Sequence, residues 1–140
     1  MHTIRLIPYE STWPIRHKVM WPDQPFDFVK LPKDPEGEHY GLFVEEELTS
    51  VVSVFKSGDE AQFRKFATVE NQQGKGYGSN LLAHIIQQLE TQGIRRIWCN
   101  ARQDKASYYE RFGLRKTEQT YQKGGIDFVI MAKESGPEIH

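Results

Sequence analysis

The sequence predicts an α/β fold: a single domain built on one mixed sheet flanked by helices. Short runs rich in β-branched and aromatic residues recur along the chain, broken by helical patterns. At the centre lies a strand–loop–helix–strand unit, an order that sets helices against a sheet. The 140 residues suffice for one well-buried core. Residues 1–134 are expected to form the domain, and residues 135–140, with Gly136 and Pro137, a frayed tail.

Residues 3–7 alternate and end at Pro8, which reads as a first strand. Ser11 or Thr12 can cap a short helix running to about Met20, with Pro14 tolerated in its first turn. Residues 21–37 hold Pro22, Pro25, Pro32 and Pro35, which excludes regular structure over most of the stretch. A loop that long in a compact domain is usually functional or mobile. Residues 40–44 and 48–55 read as strands joined by a tight acidic turn, Glu45-Glu46-Glu47. Residues 61–68 form the next strand and feed directly into a glycine loop. A helix follows over residues 76–92, with Leu81, Leu82, Ile85, Ile86 and Leu89 on one face and Gly93 as its stop. Residues 95–101 read as a strand with Ile97 and Cys99 facing one way and Trp98 the other. Residues 105–112 are a short helix ended by Gly113. Residues 114–121 and 126–133 close the chain as a hairpin about Lys123-Gly124-Gly125.

Composition narrows the function. A formal charge of −1 gives no electrostatic reason to expect nucleic acid or an anionic membrane as partner. The single cysteine, Cys99, forms no intrachain disulfide and suits a reducing compartment. No apolar run approaches the roughly 20 residues of a membrane helix, and the N-terminus lacks the apolar run of a signal peptide. A cytoplasmic location is expected. No cluster of His, Cys, Asp or Glu has metal-ligand spacing, so no metal is expected.

The informative segment is Gln73-Gly74-Lys75-Gly76-Tyr77-Gly78, set directly before the amphipathic helix. Glycines let the backbone approach a ligand closely, and a helix N-terminus presents unpaired N–H groups and about half a positive charge. Together they predict a phosphate cradle. A nucleoside-triphosphate loop would need Ser or Thr after Lys75, where Gly76 stands. A dinucleotide loop counted from Gly74 and Gly76 would need glycine where Ser79 stands.

Gln73-x-x-Gly76-x-Gly78 after a strand and before an amphipathic helix resembles the acyl-CoA pyrophosphate loop of the GCN5-related N-acetyltransferase (GNAT) superfamily. The resemblance extends upstream over residues 63–72. Downstream it takes in Ala106-Ser107-Tyr108-Tyr109-Glu110-Arg111-Phe112-Gly113-Leu114, and the element order from Ile4 to Met131 matches. It implies a mostly antiparallel sheet splayed at its centre, and acetyl-CoA as co-substrate. Main-chain groups of Phe66, Ala67 and Thr68 would pair with the pantetheine arm, and an N–H near Thr68 would polarise the thioester. The backbone of Gln73, Gly74, Lys75, Gly76, Tyr77, Gly78 and Ser79 would hold the pyrophosphate. Tyr109 would hydrogen-bond the departing sulfur, while Tyr108 shares a face with Phe112 and packs. Many members carry asparagine seven residues before the tyrosine. Here Arg102 stands there and Asn100 lies two residues earlier, so either is a candidate for the cofactor.

The acceptor amine must lose a proton, and Glu70, just past the strand that bears the site, is the candidate base. Glu45, Glu46 and Glu47 are expected to be solvated in their turn. His17 and His39 fall in regions able to line the acceptor side, and His84 lies on the polar face of its helix. Cys99 is expected to be a buried thiol rather than an acyl-carrying nucleophile. Residues 16–30, the hairpin near Gly124 and the strand ends would surround the acceptor. Trp21, Phe26 and Phe28 either cover it or fill the core beneath their loop. The expected activity is acetyl transfer from acetyl-CoA to a small-molecule or peptide amine by direct attack. An acyl-CoA-binding sensor is the alternative, and dimers common in the family make a homodimer an open expectation.

Overall fold

The computed structural model describes residues 2–135. Seven strands form one mixed sheet in the order β1-β2-β3-β4-β5-β7-β6. They are β1 (His2–Ile7), β2 (Glu38–Val44), β3 (Glu47–Ser57), β4 (Glu60–Thr68), β5 (Arg96–Arg102), β6 (Arg115–Lys123) and β7 (Ile126–Glu134). The predicted α/β class and every predicted strand are present. The tail predicted for residues 135–140 lies, apart from Ser135, outside the described residues. The chain divides into two compact units.

In the first unit (up to Phe55, with Arg64–His84), β1 pairs antiparallel with β2 and β2 with β3. Their alternate residues supply Leu42, Val52 and Val54, all wholly buried. The β2–β3 turn is one residue shorter than predicted, because Glu47 pairs with Val44. Glu45 and Glu46 therefore take φ of 50° and 68°, the left-handed values a two-residue hairpin turn demands. The first helix also departs from expectation. It divides into a 3₁₀ turn (Tyr9–Thr12), one α turn (α1, Trp13–Ile15) and a π turn (Arg16–Met20). The proline-rich segment carries only short 3₁₀ turns, Phe26–Val29 and Asp34–Glu36.

That segment is pinned by a buried polar cluster the sequence did not reveal. Arg16 and Asp34 are 0% and 1% exposed, and they meet as a two-bond fork at 2.9 Å each. Asp34 also accepts from the Trp13 indole and the Leu31 N–H, while Arg16 donates to the Val29 carbonyl and to Ser53 Oγ. His39 Nε2 faces the Asp34 carbonyl at 2.8 Å. A carbonyl only accepts, so Nε2 carries the proton, and in the neutral ring Nδ1 accepts from Ser53 at 2.7 Å. His39 is thus a structural group. Burial pushes the Asp34 carboxyl up, but hydrogen bonds from Arg16, Leu31 and Trp13, with the Arg16 charge, bring it below its usual value.

In the second unit (Lys56–Phe63 with the chain from Ile85), β4 and β5 run parallel, pairing Glu60–Gln62 with Arg96–Trp98. β5 pairs antiparallel with β7, and β7 with β6. The β6–β7 turn is Gly124-Gly125, both at positive φ. Helix α2 (Tyr77–Thr91), whose residues up to His84 belong to the first unit, buries Leu81, Leu82, Ile85, Ile86 and Leu89 as its spacing predicts, and leaves His84 exposed. Its end is a Schellman motif. Gly93 at φ 88° donates to Glu90, and Ile94 donates to Leu89. Helix α3 (Ala106–Glu110) is shorter than predicted, being flanked by a 3₁₀ turn and the Arg111–Gly113 turn.

Candidate functional site

The glycine loop lies in the first unit. β4 does not run straight into it, since a 3₁₀ turn (Glu70–Gln72) intervenes. Lys65, within β4, sits at φ 56°, a local break in the regular strand. The three loop glycines do two different jobs. Gly74 and Gly76 have φ of 81° and 85° with open space where a Cβ would stand, so the backbone path itself requires them. Gly78 is helical, and a Cβ there would meet Thr68 Oγ1 at 2.9 Å and Phe66 Cζ at 3.1 Å. It lets the helix start press against the end of β4.

The first bond inside α2 runs from the Asn80 N–H to the Gly76 carbonyl at 2.9 Å. Gly76 is therefore the N-cap, and the N–H groups of the first turn, with the positive end of the dipole, point at the loop. One predicted contact needs correction. The Gln73 N–H turns back to the Glu70 carbonyl at 3.3 Å, rather than into the loop. The Gln73 side chain donates to the Thr68 carbonyl at 2.9 Å, which leaves that carbonyl one further lone pair for a ligand. The Ser50 hydroxyl donates to the Ala67 carbonyl, so in the Ser50–Thr68 pair Thr68 is the donor. Lys75 donates to Gln72 Oε1 at 3.2 Å. The Tyr77 ring meets His2 edge-on, and Ser79 is half-buried in the first turn.

In the second unit, Tyr109 packs against Phe63 and Tyr108, with ring centres 5.9 and 5.3 Å away. Tyr108 lies edge-on to Phe112, the packing role expected of it. Burial pushes the Tyr109 phenol above its usual range, and the nearby Cys99 and Tyr108 add to the effect. Cys99 is 3% exposed, and burial pushes its thiol up to about 12. It is a protonated core residue with no nucleophilic role at neutral pH. On β5, Ile97, Cys99 and Ala101 are buried, so strand alternation sends Asn100 and Arg102 to the other face. Asn100 Oδ1 accepts from the Tyr121 hydroxyl at 3.0 Å, and Arg102 reaches Asp104 at 3.5 Å. The structure thus separates Asn100 and Arg102 from Tyr109, which lies on the Cys99 side.

Glu70 lines a cavity of about 740 Å³ in the first unit. Glu45, Glu47 and Lys18 share it, over an apolar lining of Val44, Leu48 and Val69. The hairpin glutamates are exposed, as expected, and stand at this cavity because the Val69 N–H bonds the Thr49 carbonyl at 2.9 Å and brings the end of β4 beside the start of β3. Trp21, Phe26 and Phe28 are 38%, 43% and 52% exposed, so they do not fill a core beneath their loop. Among the described residues no group of three His, Cys, Asp or Glu is placed to hold a metal ion. No helix among the described residues is long and apolar enough to cross a membrane.

Comparison with known proteins agrees with this geometry. Residues 29–135 match the model of the acetyltransferase (GNAT) domain family. Over 143 aligned residues the chain is 29% identical to an uncharacterized N-acetyltransferase of Bacillus subtilis, YitI, covering 95% of this chain and 96% of that one. The crystal structure of the ribosomal-protein-S18-alanine N-acetyltransferase from Escherichia coli superposes with a TM-score of 0.79 at 20% identity, covering 100% of this chain and 99% of that one. That of a Bacillus subtilis acetyltransferase in complex with CoA gives 0.73 at 19% identity, over 96% and 99% of the two chains. The chain belongs to the GNAT acetyltransferase family.

Proposed function

We propose that this protein, over residues 1–134, is an acetyl-CoA-dependent N-acetyltransferase working by direct attack in a ternary complex. The observation that carries the reading is the loop before α2, where Gly74 and Gly76 at positive φ lead into a helix N-terminus and Gly78 presses it against β4. The solved Bacillus subtilis relative with CoA supports CoA as the donor. The pyrophosphate is assigned to the N–H groups of residues 74–79, and the pantetheine arm to the main chain at Phe66 and Ala67 and to the Thr68 N–H. The cytoplasm, a reducing compartment, suits the single cysteine.

In the proposed chemistry the neutral amine nitrogen attacks the thioester carbon, an N–C bond forms, and the C–S bond breaks as the tetrahedral intermediate collapses. The amine proton leaves through water to Glu70, exposed at the cavity wall. Tyr109 donates a hydrogen bond to the departing thiolate. Outright proton transfer from a phenol raised above its usual value of about 10 to a thiol of about 8.5 is uphill by more than about 2 kcal/mol. The final proton on the thiol therefore comes from solvent.

Tyr109→Phe is accordingly expected to lower kcat by about 10–100-fold, the worth of a hydrogen bond to a charged group, with acetyl-CoA affinity little changed. Because the phenol is raised, wild-type kcat should show no alkaline loss from this group below about pH 10. Steady-state rates against pH check both. The reading as a whole is tested by thiol release from acetyl-CoA across a panel of amines and peptides. Amine-dependent release is the expected result, and binding with no turnover above background would instead favour a CoA-binding module.

A further inference from the structure

Two consecutive residues of the π turn, Arg16 and His17, reach into the proline-rich loop at two points. Arg16 Nη1 donates to the Val29 carbonyl at 3.0 Å. His17 Nε2 lies 2.7 Å from the Gln24 carbonyl; a carbonyl only accepts, so Nε2 carries the proton and donates. Between Trp21 and Phe28 the backbone bonds close local turns, Trp21 to His17, Gln24 to Trp21 and Phe28 to Pro25. Beyond the Trp21–His17 bond at its start, the two side chains tie the middle of the stretch and the residue just past its end to the π turn. A π turn changes the angular spacing of its side chains from that of an α-helix and is frequent at functional sites. What the anchors hold outward is a set of rings. Trp21 and Phe28 meet edge-on at 5.1 Å, and Phe26 meets the His17 ring edge-on at 5.5 Å. All three aromatic residues are exposed, and they stand in two ring pairs at one loop.

We propose that Arg16 and His17 are positioning residues that hold the 21–28 loop as a wall for the acceptor amine, and that the wall selects amines with an apolar or aromatic substituent. The proposal rests on the acetyltransferase reading. The choice of substituent follows from charge. Lys65 Nζ already lies over the Trp21 ring at 6.0 Å, while Lys30 Nζ, 5.7 Å from the Phe26 ring, is paired with Asp27 at 2.7 Å. A polycationic acceptor would meet the Lys65 ammonium where it would otherwise find the π face of Trp21.

His17 is half-buried and Arg16 wholly buried, so the test uses His17 variants, which should fold. The test compares His17→Ala, His17→Gln, in which the side-chain amide can restore the donor to Gln24, and Trp21→Ala. The readouts are hydrogen exchange at residues 21–28, acceptor KM and kcat for an aromatic amine and for spermidine, and acetyl-CoA affinity by calorimetry. Losing one such bond is worth about 3–10-fold. His17→Ala should speed exchange in the loop and raise KM for the aromatic amine by about that factor, with kcat and acetyl-CoA affinity held. His17→Gln should restore both. Trp21→Ala should reproduce the KM rise. Unchanged loop exchange in His17→Ala overturns the anchoring. Unchanged KM in both alanine variants, or a preference for spermidine that Trp21→Ala does not touch, overturns the acceptor wall. Wild-type protein that binds no acetyl-CoA would sink the acetyltransferase reading instead, and the exchange data would still decide the anchoring.

Discussion

Asp34→Ala is expected to destabilise the protein by about 3–5 kcal/mol, the cost of stranding one partner of a buried ion pair. The guanidinium of Arg16 is wholly buried and would lose both bonds of the fork. Its Nε–H already lacks a hydrogen-bond partner among the described residues, so the group has nothing in reserve. The Trp13 indole and the Leu31 N–H would lose their acceptor as well. With total stabilities of about 5–15 kcal/mol for native proteins, the variant should unfold at a far lower denaturant midpoint, or fail to fold at ordinary temperature. The same group predicts an acid limb. The folded-state pKa of Asp34 is depressed, so its stabilisation is fully present above the unfolded value, about 3.9, and is lost as pH falls through the lower folded value. Denaturant melts against pH should show wild-type stability falling below about pH 4, and a shallower fall in Asp34→Asn.

Gly78→Val should weaken acetyl-CoA binding by about 5–150-fold and also destabilise the fold by about 1–3 kcal/mol. From the sequence, valine in this loop would be expected to act only against the ligand and leave the fold largely intact. The structure corrects that expectation. A Cβ at Gly78 stands 2.9 Å from Thr68 Oγ1, and that hydroxyl is held by its bond to Ser50, so the start of the helix must shift instead. Gly76→Val acts differently, through a β-branched residue forced to φ 85°. Gly78→Ala separates space from backbone conformation. Alanine favours a helix over glycine by about 1 kcal/mol, so a net loss of stability would report the clash alone. Thermal melts and calorimetry of the variants distinguish the two mechanisms.

Much of the fold was legible because its signals are local. The stripe of α2, the glycine after it and the hairpin glycines each declare themselves within a few residues. The glycine loop was legible as a ligand site for the same reason, but not the division of labour within it. Gly76 and Gly78 are the same letter, and only packing against Thr68 and Phe66 tells them apart. The rest depends on contacts far apart in the chain. Nothing in the sequence joins Arg16 to Asp34, which lies in a segment whose prolines read simply as irregular. The gathering of Glu45, Glu47 and Glu70 around one cavity needed the register that sets Val69 against Thr49. Asn100 and Arg102 stood as alternatives because a strand end was considered without its faces. Alternation from buried Cys99 was the available signal that Asn100 points away from Tyr109.

The central claim is that the loop before α2 is where acetyl-CoA is held. Backbone amide resonances followed through an acetyl-CoA titration test it most directly. Saturable one-site shifts concentrated on residues 74–79, lost in Gly78→Val, are the predicted result. Shifts centred elsewhere, or none that saturate, would contradict it.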